Sequence, residues 1–173
     1  MKGKVGILDV GGGLRGIYGA GIFDYLIANN IEIPYTIGVS AGSANIASYI
    51  AKQKGRNRRF YEVYSMEKEY MSLSHYRKTG SYINFEYIYG TLSNEDGLDP
   101  WDFDVAKKSN QDMVVVSTDA NTGKSVYFYK KDFVKNDRGY ILNVASSAGF
   151  LAGPYLSTYY ATKNYVLKLT MAI

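Results

Sequence analysis

The apolar residues in the first fifty positions fall into short runs that glycine and polar residues separate. An apolar run at 5–10 is typical of a buried strand, and it ends in a glycine cluster. Residues 17–28 then carry apolar side chains at roughly helical spacing. A second strand is expected at 35–39, and a helix at 41–52 follows it directly. This alternation of strands and helices predicts an α/β fold with parallel strands.

The middle of the chain is less regular, but it predicts two further strands. Residues 57–71 have a helical pattern, whereas residues 72–99 contain several glycines and no clear period. Apolar residues at 111–119 predict a buried strand. A polar turn at 121–124 separates this strand from another at 125–129, which is the order of a β-hairpin. The predicted sheet is therefore mixed, with mostly parallel strands.

Size and charge limit the architecture and the partners. With 173 residues, 46% of them hydrophobic, the chain is long enough for one domain with a substantial core. Its net charge of +4 does not require a nucleic-acid partner, and we expect none. The basic residues concentrate at 52–59. This run is either a solvated helix end or a contact with an anionic membrane surface.

The absence of cysteine and of long apolar runs narrows the setting of the protein. A chain without cysteine has neither disulfides nor a thiolate nucleophile. The N-terminal residues lack the apolar length of a signal peptide, and no later run is long enough to span a bilayer. We therefore expect a cytoplasmic protein that contacts membranes only peripherally.

Ser40 lies where a predicted strand meets a predicted helix, in the sequence Gly38-Val39-Ser40-Ala41-Gly42. A serine hydroxyl is a poor nucleophile, and hydrolases present it on a sharp turn of this kind, with backbone N–H donors facing it. Gly38 and Gly42 leave the space that such a turn needs. The N-terminus of the following helix favours a developing negative charge. The pattern predicts Ser40 as the nucleophile of a serine hydrolase.

The glycine cluster Gly11-x-Gly13-x-x-Gly16 has three interpretations. It fits the oxyanion loop of a serine hydrolase, a dinucleotide-binding fingerprint, or a purely structural turn. A nucleotide-binding unit usually has an acidic residue at the end of its second strand, where this chain has Ser40. A phosphate-binding loop is excluded, since no lysine follows Gly16. We favour the hydrolase interpretation, and the other two stay open.

The base that would activate Ser40 is not marked by a histidine. His75 is the single histidine, and it lies in the irregular stretch upstream of the later strands. This order does not fit a Ser-Asp-His triad of the α/β-hydrolase type. We interpret His75 as an exposed or capping residue, and we expect a carboxylate to act directly on Ser40.

These motifs together resemble the patatin-like phospholipases, especially their bacterial branch. The resemblance rests on three segments, 9–16, 38–42 and 116–124, and it runs from about residue 4 to about residue 135. It implies a three-layer α/β/α sandwich with a mostly parallel, mixed central sheet. It also implies hydrolysis of a lipid or another acyl ester by a Ser-Asp dyad, without a cofactor.

The same resemblance implies roles for individual residues. Ser40 would be the nucleophile. The backbone N–H groups of the loop at Gly11, Gly12 and Gly13 would bind the oxyanion, and Arg15 would support that loop.

The sequence departs from the family at the second member of the dyad. In the family, the dyad aspartate lies in an Asp-Gly-Gly or Asp-Gly-Ala element well after the serine motif, and this chain has no such element. Asp96-Gly97 precedes the strand at 111–119, so its order is wrong. Asp119 belongs to a different family element and is expected to be structural. The sequence therefore names no base for Ser40.

The C-terminal region contains a second candidate site. A strand is predicted at 140–144 and a helix at 159–169. Tyr159 and Lys163 share one face of this helix, and a lysine there lowers the pKa of the tyrosine, which suits proton donation to a carbonyl. Ser146 lies after the strand. The alternative is that the Tyr-Lys pair is only a surface contact.

This region resembles the catalytic segment of short-chain dehydrogenases, a resemblance confined to 139–173. It implies that Ser146 orients the carbonyl, Tyr159 is the acid and Lys163 assists it, with NAD(P) as hydride source. The nucleotide-binding start of that family and its Asn-Asn-Ala-Gly element are not found. The resembling stretches are 141–150, 153–154 and 159–166.

We therefore predict a patatin-like portion at 1–138 that is truncated before its aspartate. A dehydrogenase-like segment at 139–173 would pack in the same domain, with the join near 136–138. The stretch 145–148 fits either family. The leading hypothesis is a patatin-like serine acyl hydrolase. An NAD(P)-dependent reductase fragment and a catalytically inactive lipid-surface or scaffold protein are the alternatives.

Overall fold

The computed structural model describes residues 5–119 and 122–134, and a four-stranded mixed sheet forms its centre. The strands occur in the order β1-β2-β3-β4 across the sheet. The first three strands are parallel to one another, and β4 runs antiparallel to β3. This arrangement confirms the α/β prediction with a mostly parallel, mixed sheet. The strands are β1 (Gly6–Asp9), β2 (Tyr35–Val39), β3 (Asp112–Thr118) and β4 (Ser125–Tyr129).

Six α-helices connect and flank these strands within the described residues. Two short 3-10 turns, at Gly13–Gly16 and Tyr64–Met66, and a π-helix at Glu86–Leu92 complete the regular structure. The helices are α1 (Ile17–Ala28), α2 (Ala41–Ile50), α3 (Arg56–Glu62), α4 (Leu73–Thr79), α5 (Phe103–Lys108) and α6 (Lys130–Val134).

The main hydrophobic core lies between the sheet and the helices α1 and α2. Strands β1, β2 and β3 are adjacent in chain order and parallel, so right-handed crossovers place their connecting helices on one face of the sheet. Helix α2 packs across β1, β2 and β3, and α1 packs on α2. The rings of Phe23 and Tyr49 lie 5.0 Å apart in this layer. The buried apolar cluster comprises Phe23, Ile46, Tyr49, Ile50, Ala51, Ala106, Met113 and Val115.

The opposite face of the sheet is apolar but exposed among the described residues. Successive side chains of a strand point to opposite faces, so the neighbours of the buried positions form this second surface. In the α/β/α sandwich that the sequence predicts, a third layer would pack against this face. Its large exposed side chains are Leu8 (58%), Tyr35 (41%), Ile37 (38%), Tyr127 (55%) and Tyr129 (48%).

The structure corrects the predicted helix at 57–71. Helix α3 ends at Glu62, and a short 3-10 turn at Tyr64–Met66 follows it. The Ser65 hydroxyl donates to the Tyr61 carbonyl at 2.7 Å, and this carbonyl is the one that a continuing helix would offer to the Ser65 N–H. The helix predicted at 41–52 also ends earlier, at Ile50.

The segment 72–99, which has no clear period, contains α4 and the π-helix. The signals for α4 are local. Ser72 caps its N-terminus by accepting a hydrogen bond from the His75 N–H, and Gly80 ends it in the left-handed region with φ +78°.

A partly buried ion cluster ties the basic run to the loop before α5. Arg56 is 6% exposed and donates to the Asp99 carbonyl, and Arg59 makes a bidentate bond to the Asp99 carboxylate at 2.6 and 2.8 Å. Burial lowers the pKa of Arg56, and the charge of Asp99 opposes that shift. Two of the arginines in the run therefore serve the fold rather than a free basic surface.

Candidate active site

Ser40 forms the sharp turn between β2 and α2. It is the N-cap of α2 and has φ +56° and ψ −132°, a conformation that side-chain-bearing residues rarely adopt. Backbone strain of this kind persists only where the surrounding structure enforces it, and it clusters at functional sites. Ser40 is half-buried. The predicted strand-to-helix turn is therefore present in a strained form.

The two glycines that flank Ser40 have no space for a side chain. A Cβ atom built on Gly38 would lie 2.5 Å from the Ser43 Cα, and one on Gly42 would lie 2.2 Å from the Asp9 carbonyl oxygen. Both contacts are with backbone, which cannot move away as a flexible side chain can. The turn is tight because α2 packs directly against the ends of β1 and β2.

The glycine loop lies against this turn. Because β1 and β2 are parallel neighbours, their carboxyl ends meet at the same edge of the sheet. Gly11, Gly12 and Gly13 have φ values of +70°, +128° and +60°. A Cβ on Gly11 would lie 2.6 Å from the Val39 carbonyl oxygen. The loop therefore passes within van der Waals contact of the backbone next to Ser40.

The hydrogen bonds of the loop show which of its N–H groups can bind an oxyanion. The Gly11 N–H donates to Asp9 Oδ1 at 2.8 Å, so it is already committed. This leaves the N–H groups of Gly12 and Gly13 as the candidates for an oxyanion. Arg15 is exposed, and its Nε lies 3.5 Å from the Gly12 carbonyl oxygen, at the outer limit of a hydrogen bond.

A buried polar network joins the loop to α2. The amide nitrogen of Asn45 donates to Asp9 Oδ2 and to the Gly16 carbonyl, both at 2.9 Å. The Tyr61 hydroxyl donates to Asn45 Oδ1 at 3.1 Å. Sequence reasoning missed both Asn45 and Tyr61. No local pattern marks Asn45, because two of its partners are 29 and 36 residues away along the chain.

The backbones of two other titratable residues that the sequence singled out take part in local turns. His75 lies in the first turn of α4, where its backbone N–H bonds to the N-cap serine. Asp119 follows β3, and its carbonyl accepts from the Gly123 N–H at 2.8 Å in the hairpin turn. This agrees with the structural role expected for it. Ser146, Tyr159 and Lys163 lie outside the described residues.

The described part of the chain offers neither a metal site nor a membrane span. Residues 5–119 and 122–134 contain no cluster of three or more histidine, cysteine, aspartate or glutamate side chains that could hold a metal ion. None of the helices in these ranges is both long and apolar enough to cross a membrane.

Comparison with known proteins decides the family. The model of the patatin-like phospholipases matches residues 10–159, which include the glycine loop and the Ser40 turn. The chain belongs to the patatin-like phospholipase family. The family takes its name from phospholipases, which hydrolyse acyl esters of lipids. The predicted fold and the resemblance noted in the sequence are thereby confirmed.

Parts of this patatin-like chain are similar to two curated proteins. It is 28% identical over 89 residues to the uncharacterized protein YjjU of Escherichia coli K12, which covers 51% of this chain and 25% of YjjU. It is 40% identical over 50 residues to a 7beta-hydroxysteroid dehydrogenase of Mediterraneibacter gnavus, covering 29% of this chain and 19% of that enzyme. The chain thus spans a quarter or less of either relative. No solved structure matches it.

The family match bears on the predicted join near 136–138. It extends past this position to residue 159, and so it overlaps the segment that resembles dehydrogenases. The short match to the dehydrogenase gives a weak indication of a dehydrogenase-like segment in this chain. The division into 1–138 and 139–173 stays a prediction.

Proposed function

We propose that this patatin-like chain is a serine hydrolase of lipid acyl esters in which Ser40 is the nucleophile. The observation that carries the proposal is the strained backbone of Ser40 at the N-terminus of α2, with the positive-φ glycine loop packed beside it. A strained serine between a parallel strand and a helix is the geometry that exposes a hydroxyl to substrate.

The proposed reaction proceeds through an acyl-enzyme. The Ser40 Oγ attacks the ester carbonyl carbon and gives its proton to a base. The base passes this proton to the leaving oxygen as the C–O bond breaks, so that an alcohol departs. Water then attacks the acyl-enzyme, which releases the acid and restores Ser40. The N–H groups of Gly12 and Gly13, with the N-terminus of α2, are assigned to stabilise the negative charge on the carbonyl oxygen.

The base in this mechanism is not assigned to a residue in the described ranges. The family's Asp-Gly-Gly or Asp-Gly-Ala element has no counterpart in the sequence. Asp9 is not chosen, because both of its carboxylate oxygens already accept hydrogen bonds, from Gly11 and from Asn45. An inactive lipid-surface protein is the outcome expected if no other group accepts the proton of Ser40.

Exposed apolar side chains next to the glycine loop support a lipid substrate. Helix α1 begins where the loop ends, and its outer face carries Ile17, Tyr18, Ile22 and Tyr25, all of them exposed. Leu14, in the loop itself, is 49% exposed. Apolar side chains in this position suit an acyl chain whose carbonyl lies at Ser40.

Labelling with a fluorophosphonate, followed by mass spectrometry of the peptides, tests the proposal. The reagent bonds to an activated serine and loses fluoride, so we expect the label on the Ser40 peptide and its loss in Ser40→Ala. Ser43→Ala is the matched control. Ser43 lies in the same helix, 6% exposed, and its hydroxyl has no hydrogen-bond partner in the described part of the chain. A folded wild-type chain that takes no label would contradict the proposal.

Peripheral contact with an anionic membrane stays a prediction with less support. Besides the Arg56 and Arg59 bonds to Asp99, Lys52 pairs with Glu32 at 2.7 Å and Arg58 with Glu62 at 2.6 Å. Flotation with phosphatidylserine vesicles decides it. Binding that is lost at high salt favours the contact, and wild-type protein left unbound at low salt removes it.

The reductase alternative rests on residues that lie outside the described ranges. Titration with NADPH tests it directly. An unchanged fluorescence of the cofactor at millimolar concentration would remove this alternative.

A further inference from the structure

We infer that Asn45 is the positioning residue that holds the glycine loop against the helix carrying Ser40. The inference rests on the proposed function of Ser40 and adds to it the group that sets the distance between nucleophile and oxyanion donors. Nothing in the serine motif or in the glycine motif marks Asn45 for this role.

The side chain of Asn45 holds the loop at both of its ends. Asn45 is 0% exposed, and its amide nitrogen uses both hydrogens, one on Asp9 Oδ2 and one on the Gly16 carbonyl. The Asp9 carboxylate links Asn45 to the start of the loop, because its other oxygen accepts a hydrogen bond from the Gly11 N–H at 2.8 Å. The loop therefore begins and ends on one side chain of α2, and Ser40 is the N-cap of the same helix.

Tyr61 sets the orientation of the Asn45 amide. Its hydroxyl donates to Asn45 Oδ1 at 3.1 Å. A flipped amide would place Oδ1 against the Asp9 carboxylate and the Gly16 carbonyl, which are acceptors only. Burial, and after it the negative charge of Asp9, raises the pKa of Tyr61. The hydroxyl therefore stays protonated and keeps its role as donor.

The side chains of Asp9 and Tyr61 fit into this network because three glycines next to them have no side chain. A Cβ on Gly19 would lie 2.4 Å from Asp9 Oδ2, and one on Gly16 would lie 2.5 Å from the Tyr61 hydroxyl. A Cβ on Gly42 would collide with the Asp9 backbone. The loop, α1 and α2 thus meet at this network with no space for a different arrangement of the side chains.

The chemical consequence is control of the oxyanion geometry. A displacement of about 1 Å in a catalytic group costs about 100-fold in rate. Without the Asn45 amide, Asp9 and Gly16 keep unsatisfied groups and the loop is held by its backbone alone. We therefore expect Asn45→Ala to slow the bond-forming step with Ser40 by about 10- to 100-fold and to leave the reversible affinity for the reagent unchanged.

The experiment compares Asn45→Ala with Asn57→Ala in the full chain. Asn57 is the matched control, since it is a buried asparagine that donates to the Asn45 backbone carbonyl at 3.1 Å but makes no bond to the loop. Three quantities are measured: the maximal rate and the half-saturating concentration of fluorophosphonate labelling, the deuterium uptake of the peptide spanning 10–17, and the thermal midpoint. The expected result is slower labelling and faster uptake in Asn45→Ala alone, at comparable midpoints.

A charge swap provides a rescue. Asn45→Asp faces a carboxylate with a carboxylate, so it should label as slowly as Asn45→Ala. Adding Asp9→Asn restores the bond between these two positions and keeps an acceptor for Gly11, but the Gly16 carbonyl still faces an acceptor. Labelling should therefore recover only in part, by about 3-fold. If Asn45→Ala does not fold, Tyr61→Phe is measured in the same assays, where the expected slowing is about 3- to 10-fold.

Equal uptake at 10–17 in Asn45→Ala and Asn57→Ala, or equal loss of labelling in both, would overturn the inference. Wild-type chain without label on Ser40 is a different outcome. It would refute the proposed function, and the uptake comparison alone would then decide whether Asn45 positions the loop.

Discussion

Gly11 and Gly123 have the same φ of +70°, yet they differ in what surrounds them. A Cβ on Gly123 in the hairpin turn would meet none of the described residues within 4 Å, whereas one on Gly11 would lie 2.6 Å from the Val39 carbonyl and 2.8 Å from the Ala41 N. Gly123 is needed only for the positive φ of its own turn. Gly11 is needed for its positive φ and also because a side chain there would collide with the backbone of the Ser40 turn.

The comparison teaches how to recognise a functional turn. A connecting turn needs a permissive residue, and its surroundings can be open. The turn at Ser40 is strained. It is enclosed by α2, which follows it directly, and by the end of β1, which is far from it in sequence. Crowding by distant segments, rather than the presence of glycine, distinguishes the candidate active site from the hairpin.

The largest expected effect comes from Gly42→Ala. The new Cβ would meet the Asp9 backbone at 2.2 Å, which neither β1 nor α2 can relieve. We expect a loss of about 3 kcal/mol in the free energy of unfolding, or failure to fold. Urea denaturation followed by circular dichroism measures it. A variant as stable as wild type would show that the crowding at the turn is not real.

The direct test of the comparison is the pair Gly11→Ala and Gly123→Ala. Both substitutions carry the strain of a positive φ, about 1 kcal/mol each. Gly11→Ala adds an overlap with backbone that is milder than the one at Gly42, which brings its total to about 2.5 kcal/mol. Unfolding free energies measured side by side check this. Equal losses would mean that the two turns differ only in appearance.

Gly19 and Gly21 form a second pair within helix α1. A Cβ on Gly19 would lie 2.4 Å from Asp9 Oδ2, whereas one on Gly21 would meet nothing within 4 Å. We expect Gly19→Ala to cost about 2 kcal/mol and Gly21→Ala to stabilise the protein by about 0.5–1 kcal/mol, since alanine is the better helix former. Thermal melts of the two variants give the answer. Stabilisation by Gly19→Ala would contradict the close contact with Asp9.

The smallest effect concerns pH. The pKa of Tyr61 is raised in the folded chain, mainly by burial. Its contribution to stability is therefore present below pH 10 and declines as the pH rises above that value, because the unfolded tyrosine ionises first. The difference in unfolding free energy between wild type and Tyr61→Phe should be constant below pH 9 and shrink above pH 10. A difference that does not change with pH would place Tyr61 in water.

Much of the fold could be predicted because its signals are local. The strands at 35–39 and 125–129 and the helix at 17–28 begin and end where the apolar runs and stop signals place them. The helix predicted at 57–71 was wrong beyond Glu62, since Ser65 competes for a carbonyl of its own turn. The cap of α4 at Ser72 was a readable signal that the irregular composition of 72–99 concealed.

By itself, the sequence determined the order of strands and helices, the mixed sheet, the family and the place of Ser40 between a strand and a helix. These follow from periodicity and from motifs of neighbouring residues. Only the tertiary structure decided that the Gly11 N–H is committed to Asp9, that Arg56 and Arg59 bind Asp99, and that Asn45 joins both ends of the loop. The physical reason is that hydrogen bonds and close contacts depend on distance in space, and the parallel sheet brings together residues that are far apart in the chain.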